Sequence, residues 1–306
     1  MNDPGSFQRL KAICKRSFPS AYARYIRWQY QRISLTERIG PLLASPEPPQ
    51  HYDDAFDRLQ ASHGDWEGVY GYDPHSTWER GSRRAIDLLT REELRTPGLE
   101  IFEAGCGEGM TSYALACYGH QVTLNDIDDW RDARAKHLPF VAGNVCDRLP
   151  IKPGSFDLVI SYNAFEHIAE PQTALNELVR LCKKGGIIHL EFSPLYCSPL
   201  GLHAFSFRMP YPQFLFSEPL IEAKVRELTV HDLGQELTAL QPVNGWRLRQ
   251  FRQLWQTSGC DVLSLVEGTD EKHLNTVMDF PKAFRGRGLE VEDLITSGIS
   301  VTLRKT

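Results

Sequence analysis

IFEAGCGEGM, residues 101–110, is the stretch on which the reading of this chain turns. An apolar run that ends in an acid, Glu103, passes into a turn holding Gly105, Gly107 and Gly109. Glycines there let a backbone approach a ligand closely, and a helix that starts just after them offers free N–H groups. The dinucleotide fingerprint GxGxxG would need glycine at position 110, where this chain has Met110. The spacing is therefore GxGxG, and a nicotinamide enzyme is not the reading it favours.

Working outward, LEIFEA (99–104) and QVTLND (121–126) read as strands flanking a helix near 109–118. HLPFVAG supplies a third short strand, FDLVIS (156–161) a fourth and GIIHLEF (186–192) a fifth, with a helix at 171–182 before it. Continuous apolar runs separated by helices predict parallel strands covered on both faces, hence a doubly wound α/β sheet. DVLSLVEG (261–268) and GISVTLRK (298–305) complete it as an antiparallel pair at one edge. Between them and the fifth strand, a proline- and aromatic-rich stretch predicts an ordered loop or lid over about 193–245. NGWRLRQFRQLWQTSG then resumes as an amphipathic helix with Leu248, Phe251, Leu254 and Trp255 on one face.

The order of motifs resembles the class I S-adenosylmethionine-dependent methyltransferases of the type 11 or 12 domain group, whose first motif is (D/E)xGxGxG. The resemblance is clear over about residues 80–192 and looser over 246–304. It implies a Rossmann-like sheet of seven strands, five parallel plus the antiparallel edge pair, with S-adenosylmethionine as cofactor. It implies cofactor contacts from Glu103, Gly105, Cys106, Gly107 and Gly109, from Asp126 and Ile127, from Asn144 and Val145, and from Asn163. Asp126 matches the acid that holds both ribose hydroxyls, a task that suits a carboxylate's two acceptor oxygens. The family usually carries Asp where this chain has Asn144, whose side-chain oxygen can still accept from an adenine amino group.

Methyl transfer asks a protein for alignment, exclusion of water and sometimes a base. For an oxygen acceptor, histidine is the expected base. His167 lies just beyond the fourth strand on the rim where such sheets bind ligands, and His203 lies in the expected lid. Glu166 adjoins His167 but would point elsewhere if the segment were helical. The expected activity is O-methylation of a small molecule or sugar; N- or C-methylation and a non-catalytic cofactor-binding scaffold are the alternatives. No metal ligand set is expected.

At 306 residues, 42% hydrophobic and 24% charged, the chain is long and apolar enough for one large core or two modest ones, which excludes a disordered tail. Mean hydropathy is −0.35, and no apolar run approaches the roughly 18 residues of a spanning helix. The charged N-terminus shows no apolar leader segment. Seven scattered cysteines without a CxxC pair argue against a disulfide framework and point to a reducing cytoplasm.

The net charge of −5 splits into +6 over residues 1–36 and −11 over the rest. Pro19–Ile39 reads as a helix stopped by Gly40-Pro41, and PLLASPEPPQ (41–50) as a linker. A further helix should start at Asp73-Pro74 and run to about Arg95. Residues 1–95 thus read as a helical extension or cap on a catalytic domain of residues 96–306. The basic aromatic stretch 9–32 would pack on that domain, pack against a second subunit, or touch a membrane surface or a polyanionic glycan. Nucleic acid is not an expected partner, because the acidic body would repel phosphates.

Overall fold

In the computed structural model, which describes residues 37–67, 71–91, 94–232 and 235–306 with positions 20, 23 and 35, the apolar runs pair into one seven-stranded sheet. The basic stretch 9–32 and most of the expected helix Pro19–Ile39 lie outside the described residues. In chain order the sheet strands are β1 (Glu100–Ala104), β2 (Gln121–Asp126), β3 (Phe140–Ala142), β4 (Phe156–Tyr162), β5 (Cys182–Phe192), β8 (Cys260–Thr269) and β9 (Thr296–Lys305). β6 (Val230–Asp232) and β7 (Gln235–Leu237) form a separate hairpin. The order is β3-β2-β1-β4-β5-β9-β8, with β9 antiparallel to both β5 and β8. β1 pairs in parallel with both β2 and β4, so the winding direction reverses beside it and opens a crevice at its carboxyl end.

Each face of the sheet is covered. On one side α2 (Pro74–Leu89) and α3 (Met110–Cys117) bury Ala85, Leu88, Ala114 and Leu115 against Ile101, Leu124, Leu158 and Ile160. On the other, α4 (Pro171–Leu181) and α7 (Leu248–Thr257) cover Phe102, Val159, Ile188 and Leu190. The four apolar residues expected on one face of α7 are all buried. α2 starts where its capping signal predicts: Asp73 accepts from His75 and Ser76 N–H at 3.0 and 3.1 Å, and Pro74 needs no donor. It ends at Leu89, short of the expected Arg95.

The region beyond β5 is more than a loop. It contains α5 (Pro212–Leu215), α6 (Glu218–Leu228) and the β6–β7 hairpin. These build a third hydrophobic core with α1 (Phe56–Ser62) and with α8 (Leu274–Asp279), α9 (Pro281–Phe284) and α10 (Val291–Ile295) between β8 and β9. Phe56, Tyr211, Phe214, Phe216 and Phe284 fill that core. The helix expected to stop at Gly40-Pro41 runs on to Leu43, because Ile39 and Leu43, one turn apart, both bury into it. The expected linker 41–50 is likewise fastened: Gln50 N–H donates to Lys282 O at 2.9 Å, and Arg285 pairs with Glu47. The cap is thus assembled from three separated parts of the chain, whereas α2 belongs to the sheet layers.

Phe251 touches the rings of Phe192, Trp246 and Trp255. Phe251→Ala should lower stability by about 3–5 kcal/mol in urea unfolding. Val262→Ala, on the exposed edge strand, should change it by less than about 0.5 kcal/mol.

Candidate functional site

The glycine turn sits in the crevice beside β1. Cys106 N–H donates to Asn125 O at 2.9 Å, tying the turn to β2. Gly105 adopts φ +63, and a Cβ there would lie 2.4 Å from the Ala164 side chain, so only glycine fits between β1 and the turn after β4. Gly107 N–H donates to one Asp126 oxygen at 2.9 Å and Ile127 N–H to the other at 2.8 Å. Each oxygen keeps a lone pair for a further donor. Burial raises the Asp126 carboxyl above its ordinary range.

Glu103 is buried beneath the turn and accepts from Ser112 N–H at 3.2 Å. Burial pushes its pKa from 4.5 up to about 7. On the far side, buried Asn125 donates to Val141 O and Gly143 O, both at 2.9 Å, which sets the loop carrying Asn144 and Val145. Asn144 caps that loop by accepting from Cys146 N–H at 2.9 Å.

A cavity of about 560 Å³ joins these groups to the cap. Every residue expected to touch the cofactor lines it except Gly109. That glycine instead stands at the entry to α3 with φ +73, and a Cβ there would strike Leu124 at 2.8 Å. A glycine there lets the chain turn into the helix close against β2.

Two arginines missed in the sequence also line the cavity. Arg80 pairs with Glu108 at 2.6 Å, and Arg84 lies over the Tyr162 ring at 4.5 Å. They sit four apart on α2, a helical spacing that was legible, but nothing in one sequence placed that helix over the glycine turn.

The cavity's other wall carries Glu166, His167 and His203, with one ligand atom of each within 4.8 Å of the others. Residues 163–168 form a turn and not a helix, so the condition under which Glu166 would point away from His167 is not met. Asn163, at φ +48, starts that turn. Asn244 closes it, donating its side-chain amide to Phe165 O at 2.9 Å and Ile168 O at 3.1 Å, and its backbone N–H to Glu166 O at 2.9 Å. Asn244 carried no signal in the sequence, since its partners are backbone atoms 76 and 79 residues away.

The two imidazoles meet edge to face with ring centres 4.6 Å apart. His167 Nδ1 lies 2.8 Å from Pro242 O, and His203 Nε2 lies 2.8 Å from Pro194 O. A carbonyl can only accept, so each bonded nitrogen carries the proton, and in neutral His203 the opposite nitrogen, Nδ1, holds a lone pair. Burial holds His203 down at about 3, so it is neutral at physiological pH. Pro194, Phe205, Leu237 and Pro242 add apolar surface to the remaining wall, beside Ser193 and Gln241.

These residues suit the implied cofactor. Glycines admit the backbone, Asp126 retains acceptor capacity for a diol, and two desolvated acids favour a ligand bearing positive charge. Residues 102–190 match a family model described as "Methyltransferase domain". A Mycobacterium tuberculosis protein named "Probable S-adenosylmethionine-dependent methyltransferase" is 26% identical over 129 residues, 39% of this chain and 47% of that protein. The ubiquinone biosynthesis O-methyltransferase of Xanthomonas campestris is 32% identical over 103 residues, 31% of this chain and 43% of its own length. The tocopherol O-methyltransferase of Arabidopsis thaliana is 31% identical over 157 residues, 41% and 44% of the two chains. The match spans less than half the length of each of these relatives. No described helix is long and apolar enough to cross a membrane.

Because the folded pKa of Glu103 lies above its unfolded value, folding favours the protonated form. Stability of the ligand-free protein should be fullest below pH 4.5 as far as this group is concerned, and fall by up to about 3 kcal/mol as pH rises through about 7. Glu103→Gln should remove that slope in denaturant titrations across this range. A cationic ligand favours the ionised acid, so S-adenosylmethionine affinity of the unmodified chain should rise with pH over the same interval.

Proposed function

We propose that this chain, in which residues 102–190 are a domain of the S-adenosylmethionine-dependent methyltransferases, methylates a hydroxyl oxygen on a small molecule or sugar, with His167 as general base. The observation that carries the reading is the single cavity onto which Glu103, the glycine turn, Asp126 and the Glu166–His167–His203 cluster all open. When bound, S-adenosylmethionine supplies a methyl group already activated on a sulfonium. What remains for the protein is to hold, align and dry the reactants and to take a proton.

In this reading Asp126 holds the ribose hydroxyls with its remaining lone pairs, while Asn144 and Val145 face the adenine. Glu103 and Asp126 supply the negative field that a cationic cofactor needs. Pro194, Phe205, Leu237 and Pro242 take the apolar body of the acceptor and exclude water from its hydroxyl. His167 Nε2 accepts the hydroxyl proton. Nδ1–H stays on the Pro242 carbonyl, which keeps the ring in orientation, and the Glu166 carboxyl faces the charge that develops. Two of the relatives named above act on oxygen by name, which supports oxygen over nitrogen or carbon.

Asp126→Ala should weaken binding of S-adenosylmethionine and S-adenosylhomocysteine at least tenfold in calorimetry. His167→Asn should leave that binding in place while lowering kcat about 10²–10⁴-fold against a panel of phenols, alcohols and sugars. Cofactor binding without turnover on any member of the panel would favour a non-catalytic scaffold. Turnover unchanged in His167→Asn would remove the base assignment.

A further inference from the structure

We propose that Glu166, His167 and His203 form a site for a divalent transition-metal cation of the zinc class, set between the cofactor crevice and the cap. No ligand spacing in the sequence signals one, since the third ligand comes from a segment 36 residues beyond the second. In the folded chain one ligand atom of each residue lies within 4.8 Å of the others. Ligands on a tetrahedral zinc ion stand about 3.3 Å apart, so the set has to draw in by up to about 1.5 Å to close on one.

The hydrogen bonds around the rings are those a metal site needs. A ligating histidine ordinarily donates its second ring N–H to a carbonyl or carboxylate, which fixes tautomer and orientation. Here both histidines do so, His167 through Nδ1 to Pro242 O and His203 through Nε2 to Pro194 O. In its neutral form each ring then offers its second nitrogen to a cation, and the rings are only 4.6 Å apart. The turn 163–168 is itself clamped by Asn244, so the ligands sit on a braced support. Glu166 and His203 are buried, while His167 is partly open to the cavity.

The donor set selects the ion. Two imidazole nitrogens and one carboxylate suit Zn²⁺, Co²⁺ or Mn²⁺ better than Ca²⁺ or Mg²⁺, which prefer oxygen. Three protein ligands leave positions open, as in catalytic rather than structural zinc sites. The cavity lies on that side. The use of the site rests on the proposed methyl transfer: a cation there acidifies an acceptor hydroxyl, whose proton passes to water as its oxygen takes the methyl group and the cofactor leaves as a neutral thioether. Metal and proton then compete for the same two nitrogens, so the loaded protein relies on the cation and the metal-free protein on the histidine.

The test uses the full chain, stripped with a chelator and titrated with Co²⁺ and with Zn²⁺, with visible absorption and calorimetry as readouts. One equivalent of either ion should bind, and bound Co²⁺ should show the intense visible bands of a low-coordinate site. Glu166→Gln, His167→Asn and His203→Asn should each weaken binding roughly tenfold or more. Asparagine is chosen at 203 because it tolerates the left-handed backbone there, φ +58. Binding of S-adenosylhomocysteine by each variant reports that it has folded. Absence of a stoichiometric cation while S-adenosylhomocysteine binds normally overturns the metal site alone, as does cation binding that all three variants leave unchanged. Failure of the unmodified chain to bind S-adenosylhomocysteine overturns the methyltransferase reading on which the site's use depends.

Discussion

The hydrogen bond from Gly107 N–H to the Asp126 carboxylate holds together the part of the molecule on which the rest depends. It joins the turn after β1 to the end of β2, and so fixes the floor of the crevice at the point where the sheet reverses its winding. A backbone donor in such a turn has no partner within its own helix or strand, and burying it without one would cost about 1–3 kcal/mol. The acid that satisfies it is itself desolvated, which raises its pKa and leaves spare acceptor capacity facing the cavity. The same carboxylate thus serves the fold and presents a ligand-binding edge.

A second constraint acts across the cavity. Asn244 donates to three backbone carbonyls of the turn after β4. Its brace gives the Glu166–His167 pair a fixed position, and Pro194 and Pro242 set the two imidazoles by their carbonyls. The site is therefore built from both layers: the sheet supplies the cofactor wall, and the cap supplies the apolar wall and His203. The third hydrophobic core explains how a region without regular apolar alternation can hold such positions, since aromatic side chains from three parts of the chain interlock beneath it.

Much of the sheet was legible because parallel strands covered on both faces read as unbroken apolar runs. The glycine spacing, Glu103 and Asp126 were legible for a similar reason: close approach and diol binding restrict residue type at fixed distance from a strand end. Gly109 matches the ligand-contact motif, and packing against Leu124 demands glycine at the same place. Periodicity does not distinguish these two demands for glycine. A helix over 163–168 would turn Glu166 from His167, whereas the turn found there is clamped by bonds from residue 244.

By itself, then, the sequence determined the winding of the sheet, the place of the crevice and the acids that line it, since each follows from local pattern and short spacing. Only the tertiary structure decided that residues 37–62, 196–230 and 274–295 share one core, that Arg80 pairs with Glu108 of the glycine turn while Arg84 lies over Tyr162, and that His203 meets His167. Those facts rest on contacts between segments far apart in the chain. Burial and hydrogen-bond satisfaction select such contacts jointly, and no single stretch of sequence records them.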